Sequence, residues 1–338
     1  MKRYSQMDGL RAVAAAAVVM IHVTAGAQGW LAVSCNQLAR FSVPLFLVLS
    51  GFGHAAGSRE GDTWWPVCRR RLGRVLPAYL IWSVVYLLVD AAFGKPHPQP
   101  VRDLLTGNAY MHLYYVFILI QFVLLSLLLQ RAVERFPAVT LCIAGTVSLL
   151  LQGVLCLQAL GRVKLPAFPV PMVLWFAPWL LFYVGGLWLG KHPAQGVPSV
   201  RRLLGLAALW GASAALVLLT AKRFPAVRSL SLRPDLTLYV FASWLLLWAL
   251  CSLLRDMPRP VRAVSRLSFG LYLAHPLVMR LWLEWTTRQA QVIYLKFWQL
   301  WLLAFAGGLL ISFLLSKLPF GSLLGGAAPR KTNRQTEG

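Results

Sequence analysis

The sequence predicts an all-α integral membrane protein with about ten transmembrane helices and both termini in the cytoplasm. Of its 338 residues, 58% are hydrophobic and only 13% are charged, whereas soluble domains carry roughly 25% charged residues. Stretches such as residues 116–129 and 236–254 are apolar on all sides, without the apolar–polar alternation that marks a membrane β-strand. The spans are therefore expected to be helices, and no sizeable soluble domain fits beside them.

About ten apolar runs, each bounded by Pro, Gly or charged residues, are long enough to cross a hydrocarbon core about 30 Å thick. They cover residues 10–27, 41–57, 75–93, 112–130, 138–157, 171–190, 203–221, 236–254, 267–285 and 297–316. With the N-terminus inside, about 21 of the 33 Lys and Arg residues fall on the inner side, as the positive-inside rule expects. Topology thus explains much of the net charge of +23, and no nucleic-acid partner is expected.

The domain organisation follows from the same pattern. Residues 1–318 are expected to form one transmembrane domain, and residues 319–338 a flexible, basic cytoplasmic tail. The first apolar run follows Lys2 and Arg3, as in a signal peptide, but Arg11 and His22 within it indicate a retained span. The five cysteines are scattered and odd in number, without metal-ligand spacing, so neither a disulfide framework nor a metal site is expected.

The first span contains the clearest candidates for chemistry, because polar groups are rare and costly within lipid. Arg11 and His22 are eleven positions apart, which brings them within about 20° of one direction on a helix and about 16 Å apart along its axis. Both are thus expected on one face, Arg11 near the inner surface and His22 about two-thirds of the way across, with Asp8 three positions before Arg11. The alternative is that Arg11 snorkels to the interface and His22 hydrogen-bonds a neighbouring helix.

A second candidate is a cluster of four arginines, Arg69, Arg70, Arg71 and Arg74, in the inner connection before the third span. Guanidinium groups bind phosphate oxygens in a bidentate manner, so the cluster indicates an anionic ligand on the cytoplasmic side. The alternative is ordinary topogenic charge.

Two further histidines lie at or within later spans. His112 stands at the outer end of the fourth span, where an aromatic belt is an equally good interpretation. His275 precedes the helix-kinking Pro276 in the ninth span, where a hydrogen bond to another helix is the alternative to catalysis. Arg280 and Glu284 follow at the spacing of an i,i+4 ion pair.

Five segments together resemble the acyltransferase-3 family of membrane O-acyltransferases, which modify sugars of cell-surface polysaccharides, lipopolysaccharides and related glycans. The segments are residues 8–12 with His22, and residues 43–52, 70–77, 112–115 and 268–275. In their order and spacing they cover nearly the whole chain. The fourth segment has Tyr114 where the family often has Trp, and no appended soluble esterase-like domain is expected.

The resemblance implies an acyl donor, usually acetyl-CoA, that enters from the cytoplasm, and an acceptor hydroxyl approached from the outer side. It implies that Arg11 and the arginine cluster hold the CoA phosphates. It also implies that His22, with Asp8 and Arg11, carries the catalysis, either as general base or through transient acylation. The accessory or acceptor-side candidates are Ser50, His112, Tyr115, Tyr272, His275 and Glu284.

The resemblance further implies a bacterial inner-membrane location, a glycan or lipid-linked oligosaccharide acceptor, and contacts with glycan-biosynthesis machinery or a second copy of the chain. Two other classes stay open. One is a multi-span transporter or flippase of a glycan lipid, and the other is a structural protein whose basic face binds anionic phospholipid. Arg11 and His22 on one face, with arginines at the inner end, favour acyl transfer, because neither alternative requires this arrangement.

Overall fold

The protein is a bundle of α-helices, seen in a computed structural model that describes residues 4–59, 61–166, 170–289 and 295–326. Helices make up 77% of it, and the described residues include no strand. The α-helices within these ranges are α1 (Gln6–Val23), α2 (Trp30–Ala39), α3 (Ser42–Gly57), α4 (Trp64–Ala92), α5 (Pro100–Thr106), α6 (Tyr114–Arg135), α7 (Pro137–Ala159), α8 (Leu180–Lys191), α9 (Val200–Arg223), α10 (Pro234–Ser252), α11 (Arg259–Thr287) and α12 (Phe297–Leu315). The predicted all-α class is therefore confirmed.

Eight helical segments of the described chain are long and apolar enough to cross a membrane, with α2 and α3 counted as one segment. Two further predicted spans, α8 and α11, do not meet this standard. Helix α8 has only 12 residues, and α11 contains several charged side chains, among them Arg280 and Glu284. The count of about ten spans and the cytoplasmic position of both termini stay predictions. The side on which α1 begins is called the inner side below, following that predicted topology.

The second and sixth predicted spans differ from the structure for identifiable reasons. The second span begins earlier than residue 41, because α2 precedes α3 and holds polar side chains, Asn36 and Gln37, that are buried and hydrogen-bonded. In the sixth span, residues before α8 form 3₁₀ turns (Met172–Leu174 and Ala177–Trp179). Proline lacks a backbone N–H, so Pro171 and Pro178 interrupt a continuous α-helix there.

Helix α1 lies inside the bundle, where it packs against α2, α3, α10, α11 and α12. Nearby, α3 and α8 approach so closely that their backbones touch. A Cβ atom on Gly186 would lie 2.2 Å from Val48 O, and one on Gly51 would lie 2.2 Å from Tyr183 O. These glycines are needed because small residues allow helices to pack at short distance within a membrane.

The predicted tail at residues 319–338 begins within the described chain. Its first part contains a 3₁₀ turn (Gly321–Leu324) that packs against α4, where Trp82 Nε1 donates a hydrogen bond of 3.0 Å to Leu324 O. Residues 327–338 lie outside the described ranges, so the extent of the tail stays a prediction.

Candidate functional site

Three histidines that are far apart in the sequence meet in the interior of the bundle. His22 lies on α1, His112 lies just before α6, and His275 lies on α11. The ring centroid of His275 is 5.2 Å from that of His22 and 5.8 Å from that of His112, and His22 and His112 are 6.2 Å apart. His112 and His275 are 1% and 0% exposed, whereas His22 is half-buried. His22 is therefore the member of the cluster that another molecule can reach most readily.

The histidine cluster contains unpaired hydrogen-bonding atoms. His275 donates its Nδ1–H to Leu271 O at 3.0 Å, which leaves Nε2 as an acceptor. Among the described residues, neither this Nε2 nor either ring nitrogen of His112 has a hydrogen-bond partner. An unsatisfied buried polar atom costs about 1–3 kcal/mol, and such atoms in a native structure call for a function or a bound molecule. The cluster is thus the best candidate for a reaction centre.

Tyrosines hold the histidine cluster in place. The Tyr272 hydroxyl donates to His112 O, and the Tyr86 hydroxyl donates to Leu273 O at 2.7 Å. The ring of Tyr86 stacks on that of Tyr110 at 4.2 Å and meets the edge of His112 at 5.2 Å. Because the hydroxyls of Tyr86 and Tyr272 are engaged by carbonyl oxygens, these residues serve to position His112.

Arg11 lies in a cavity of about 190 Å³ on the inner side of the cluster. The cavity is lined by Arg11, Phe46, Leu49, Ser50, Tyr115, Leu119, Ser268, Phe269 and Tyr272. The ring of Tyr272, which forms part of the cavity wall, is 5.1 Å from that of His112, so this wall separates the cavity from the histidines. Arg11 shares this cavity with residues of α11, and His22 meets His275 of the same helix. The prediction that Arg11 and His22 share one face is confirmed.

The structure also brings together most of the accessory candidates. Ser50, Tyr115 and Tyr272 line the same cavity, and the rings of Tyr115 and Tyr272 are 5.6 Å apart. The aromatic-belt interpretation of His112 is wrong, because this residue is buried against tyrosines.

Asp8 and Glu284 lie away from the histidine cluster. Asp8 is buried and accepts a hydrogen bond of 2.7 Å from Ser265 Oγ, which joins the start of α1 to α11. It precedes His22 by fourteen residues, or about 21 Å along a helix, so its expected role is to position α1. Glu284 pairs with Arg280 at 2.7 Å, as its spacing predicted, and with Lys95 at 4.0 Å.

The four clustered arginines lie inside α4, which begins at Trp64, earlier than the predicted span. Arg69, Arg70 and Arg74 are exposed, whereas Arg71 is half-buried and interacts electrostatically with Tyr183 and His54. The cluster therefore offers guanidinium groups both at the surface and at the entrance to the bundle.

His54 is a further candidate that the sequence reasoning missed. It is buried near the inner end of α3, and neither of its ring nitrogens has a hydrogen-bond partner among the described residues. Gln130 lies next to His54, and its side chain interacts with the ring. An ionisable residue within an apolar span was the available signal, since His54 lies in the predicted span at residues 41–57, two positions after the segment at 43–52.

The fold and this site together define a multi-pass membrane protein with a buried histidine centre and a cavity beside it that contains an arginine. The chain belongs to the acyltransferase domain family Acyl_transf_3, whose model matches residues 4–317. It is therefore a membrane acyltransferase by family. No curated protein and no solved structure matches the chain.

Proposed function

We propose that this protein transfers an acyl group, most simply acetyl, from cytoplasmic acyl-CoA to a hydroxyl of a cell-surface or exported glycan. The observation that carries this proposal is the histidine cluster with its unpaired ring nitrogens, near the outer end of α1, combined with a cavity that holds Arg11 and borders the cluster at Tyr272. A bacterial inner-membrane location and an O-acetyltransferase activity belong to the same proposal.

The inner side supports binding of the donor. Arg69, Arg70, Arg71 and Arg74 would hold the phosphates of CoA, since guanidinium groups match phosphate oxygens in charge and geometry. The pantetheine arm would then enter the narrow cavity beside Arg11, which is largely apolar and suits an uncharged chain. The thioester at the end of this arm would approach His22.

The outer side supports binding of the acceptor. A cavity of about 650 Å³ lies there, between the segment before α6, the end of α7 and the segment before α10. This volume is within the roughly 300–1,000 Å³ that ligand pockets occupy. Its lining includes Tyr110 and Met111, which lie next to His112 in sequence. A sugar in this cavity would therefore be close to the histidine cluster.

In the proposed reaction, His22 acts as general base because it is the accessible member of the cluster. Its neutral ring takes the proton of the sugar hydroxyl as the oxygen attacks the thioester carbonyl. The C–S bond then breaks, CoA leaves as the thiolate, and the imidazolium returns the proton to sulfur. General base catalysis contributes typically about 10²–10⁴-fold in rate. Transient acylation of His22 is the alternative route to the same products.

The test is transfer of labelled acetyl from acetyl-CoA into the glycan and lipid-linked glycan fraction of membranes containing the protein. Incorporation is expected with the wild type and is expected to vanish in His22→Ala at equal expression. His192→Ala is the matched control, because this histidine is exposed at the inner side and stacks only on Trp188 among the described rings. Equal incorporation by wild type and His22→Ala would reject His22 as the catalytic residue, and no incorporation by either would reject acetyl transfer.

A further inference from the structure

Besides the cavity of about 650 Å³, the outer side contains another cavity, of about 420 Å³, at the end of α1. It begins at Thr24, two residues after His22, and its lining includes Asn36, Arg40, Arg228 and Ser229. None of the residues that line it is acidic. The cavity is therefore polar, positively charged and close to the proposed reaction centre.

Arg40 is buried in this cavity wall without a counter-charge. It is 8% exposed, and its guanidinium donates to Asn36 Oδ1 at 3.0 Å and to Ser229 O and Leu230 O at 3.1 Å. All of these acceptors are neutral, and no carboxylate of the described chain lies within 4.0 Å of Arg40. The carbonyl end of α2 supplies only a partial negative charge. A buried charge is costly unless an opposite charge balances it. A bound anion would supply that opposite charge to Arg40.

The neighbouring arginines add to this positive charge. Arg233 is fully buried and forms an ion pair with Asp235, with 2.9 Å between Arg233 Nη2 and Asp235 Oδ2. Arg228 is half-buried, donates its Nε–H to Ala221 O at 2.8 Å, and lies over the ring of Trp30. Within the described ranges, one carboxylate, that of Asp235, thus pairs with these three arginines, and the charges of Arg40 and Arg228 remain to be balanced.

The surroundings indicate what kind of anion would fit. The 650 Å³ cavity adjoins this one at Ser229, and no charged side chain lines it among the described residues. On the other side, Trp30 and Leu31 are exposed apolar side chains at the start of α2, and Leu31 is 69% exposed. A neutral sugar-sized pocket, a cationic pocket and an exposed apolar surface therefore lie next to one another on the outer side.

We propose that Arg40 and Arg228 bind the phosphate of a membrane-anchored acceptor, a sugar linked through phosphate or diphosphate to a prenyl chain. This assignment rests on the proposed acyl transfer, and it specifies the acceptor class. The phosphate occupies the cationic cavity and balances Arg40, the sugar occupies the neutral cavity near His22, and the prenyl chain leaves along Trp30 and Leu31. Phosphate is the expected group because guanidinium pairs bind it strongly through charge-assisted hydrogen bonds.

The test measures binding of farnesyl diphosphate and of farnesol to the purified protein in non-ionic detergent, by calorimetry. Farnesyl diphosphate is expected to bind more tightly than farnesol. Arg228→Gln is expected to weaken its binding about tenfold, as the loss of a hydrogen bond to a charged group predicts, and to leave farnesol binding unchanged. Arg228 is chosen over Arg40 because its side chain donates one hydrogen bond, to Ala221 O, whereas that of Arg40 donates three, so the substitution is expected to disturb the fold less.

Two matched variants control for charge alone. Arg223→Gln removes an exposed charge from the same outer side without lining either cavity, and Arg135→Gln removes an exposed charge from the inner end of α6. Both are expected to bind farnesyl diphosphate like the wild type. Equal weakening in either control, equal binding of farnesol, or equal competition by phosphatidylglycerol would overturn the assignment. No acyl-CoA is present in this experiment, so its failure is distinct from a failure of acetyl transfer.

Discussion

His22 and His275 face each other across the interface of α1 and α11, with ring centroids 5.2 Å apart. The hydrogen bond from His275 Nδ1 to Leu271 O fixes the tautomer, so the Nε2 lone pair is left within the cluster. We expect His275 to be a positioning residue that orients the ring of His22 for proton transfer.

The substitution His275→Asn tests this role, because asparagine keeps a donor close to Leu271 O and removes the Nε2 atom. The kcat of acyl transfer is expected to fall at least about tenfold while the KM for acetyl-CoA stays constant, since the ring that packs 5.2 Å from the proposed base His22 is lost and donor binding is not. Kinetics and the pH profile of kcat in proteoliposomes provide the measurement. A His275→Asn enzyme with the kcat and pH profile of the wild type would show that Nε2 has no part in catalysis.

The arginine cluster on α4 predicts a defect in donor binding. Arg71→Gln is expected to raise the KM for acetyl-CoA about tenfold with little change in kcat, because binding to CoA phosphates is the same in the ground and transition states. Arg135→Gln is the control, since Arg135 also carries a positive charge at the inner side but lies exposed at the end of α6, outside the cluster. A similar increase in KM for both variants would assign the effect to general surface charge.

Close packing of α3 and α8 predicts a loss of stability in Gly186→Ala. The new Cβ would lie 2.2 Å from Val48 O, a backbone atom that cannot move independently, and overpacking costs typically about 1–3 kcal/mol. A lower melting temperature in detergent is therefore expected. Gly211→Ala on α9 is the matched control, because no atom lies within 4 Å of its added Cβ, and alanine favours a helix by roughly 0.5–1 kcal/mol. A melting temperature of Gly186→Ala at or above that of the control would contradict this account.

The loop between α4 and α5 predicts a pH dependence of stability. His97 contacts Asp103 at 2.7 Å and Asp90 at 3.3 Å, and the hydrogen bond to Asp103 is the main reason that the pKa of His97 is raised above 6.5. Stabilisation from the protonated ring is therefore fully present below about pH 6.5 and is lost as the pH rises through the raised pKa.

Melting temperatures of wild type and His97→Gln across this range measure the effect. At pH 5.5 the wild type is expected to melt at a higher temperature than His97→Gln. This difference in melting temperature is expected to shrink towards alkaline pH. A difference that stays constant with pH would mean that protonation of His97 does not contribute. The effect is expected to be modest because the pair is partly exposed and screened by water.

Much of the candidate site was accessible from the sequence, since polar residues stand out within apolar runs. Arg11 and His22 follow from helical periodicity, and His112 and His275 from their rarity in spans. Arg40 and His54 were missed. Arg40 stands at the junction of α2 and α3, outside the apolar run at 41–57, so its burial depends on Ser229 and Leu230 from a distant segment.

The sequence by itself determined the all-α class and the membrane setting, because a backbone in lipid must satisfy its hydrogen bonds within each helix. It also determined that Arg11 and His22 share a face, because that depends only on the geometry of one helix. The tertiary structure alone decided that His22, His112 and His275 meet, and that Arg40 is buried without a carboxylate. Those relationships depend on which helix faces pack together, and the hydrophobicity of a span carries no information about its neighbours.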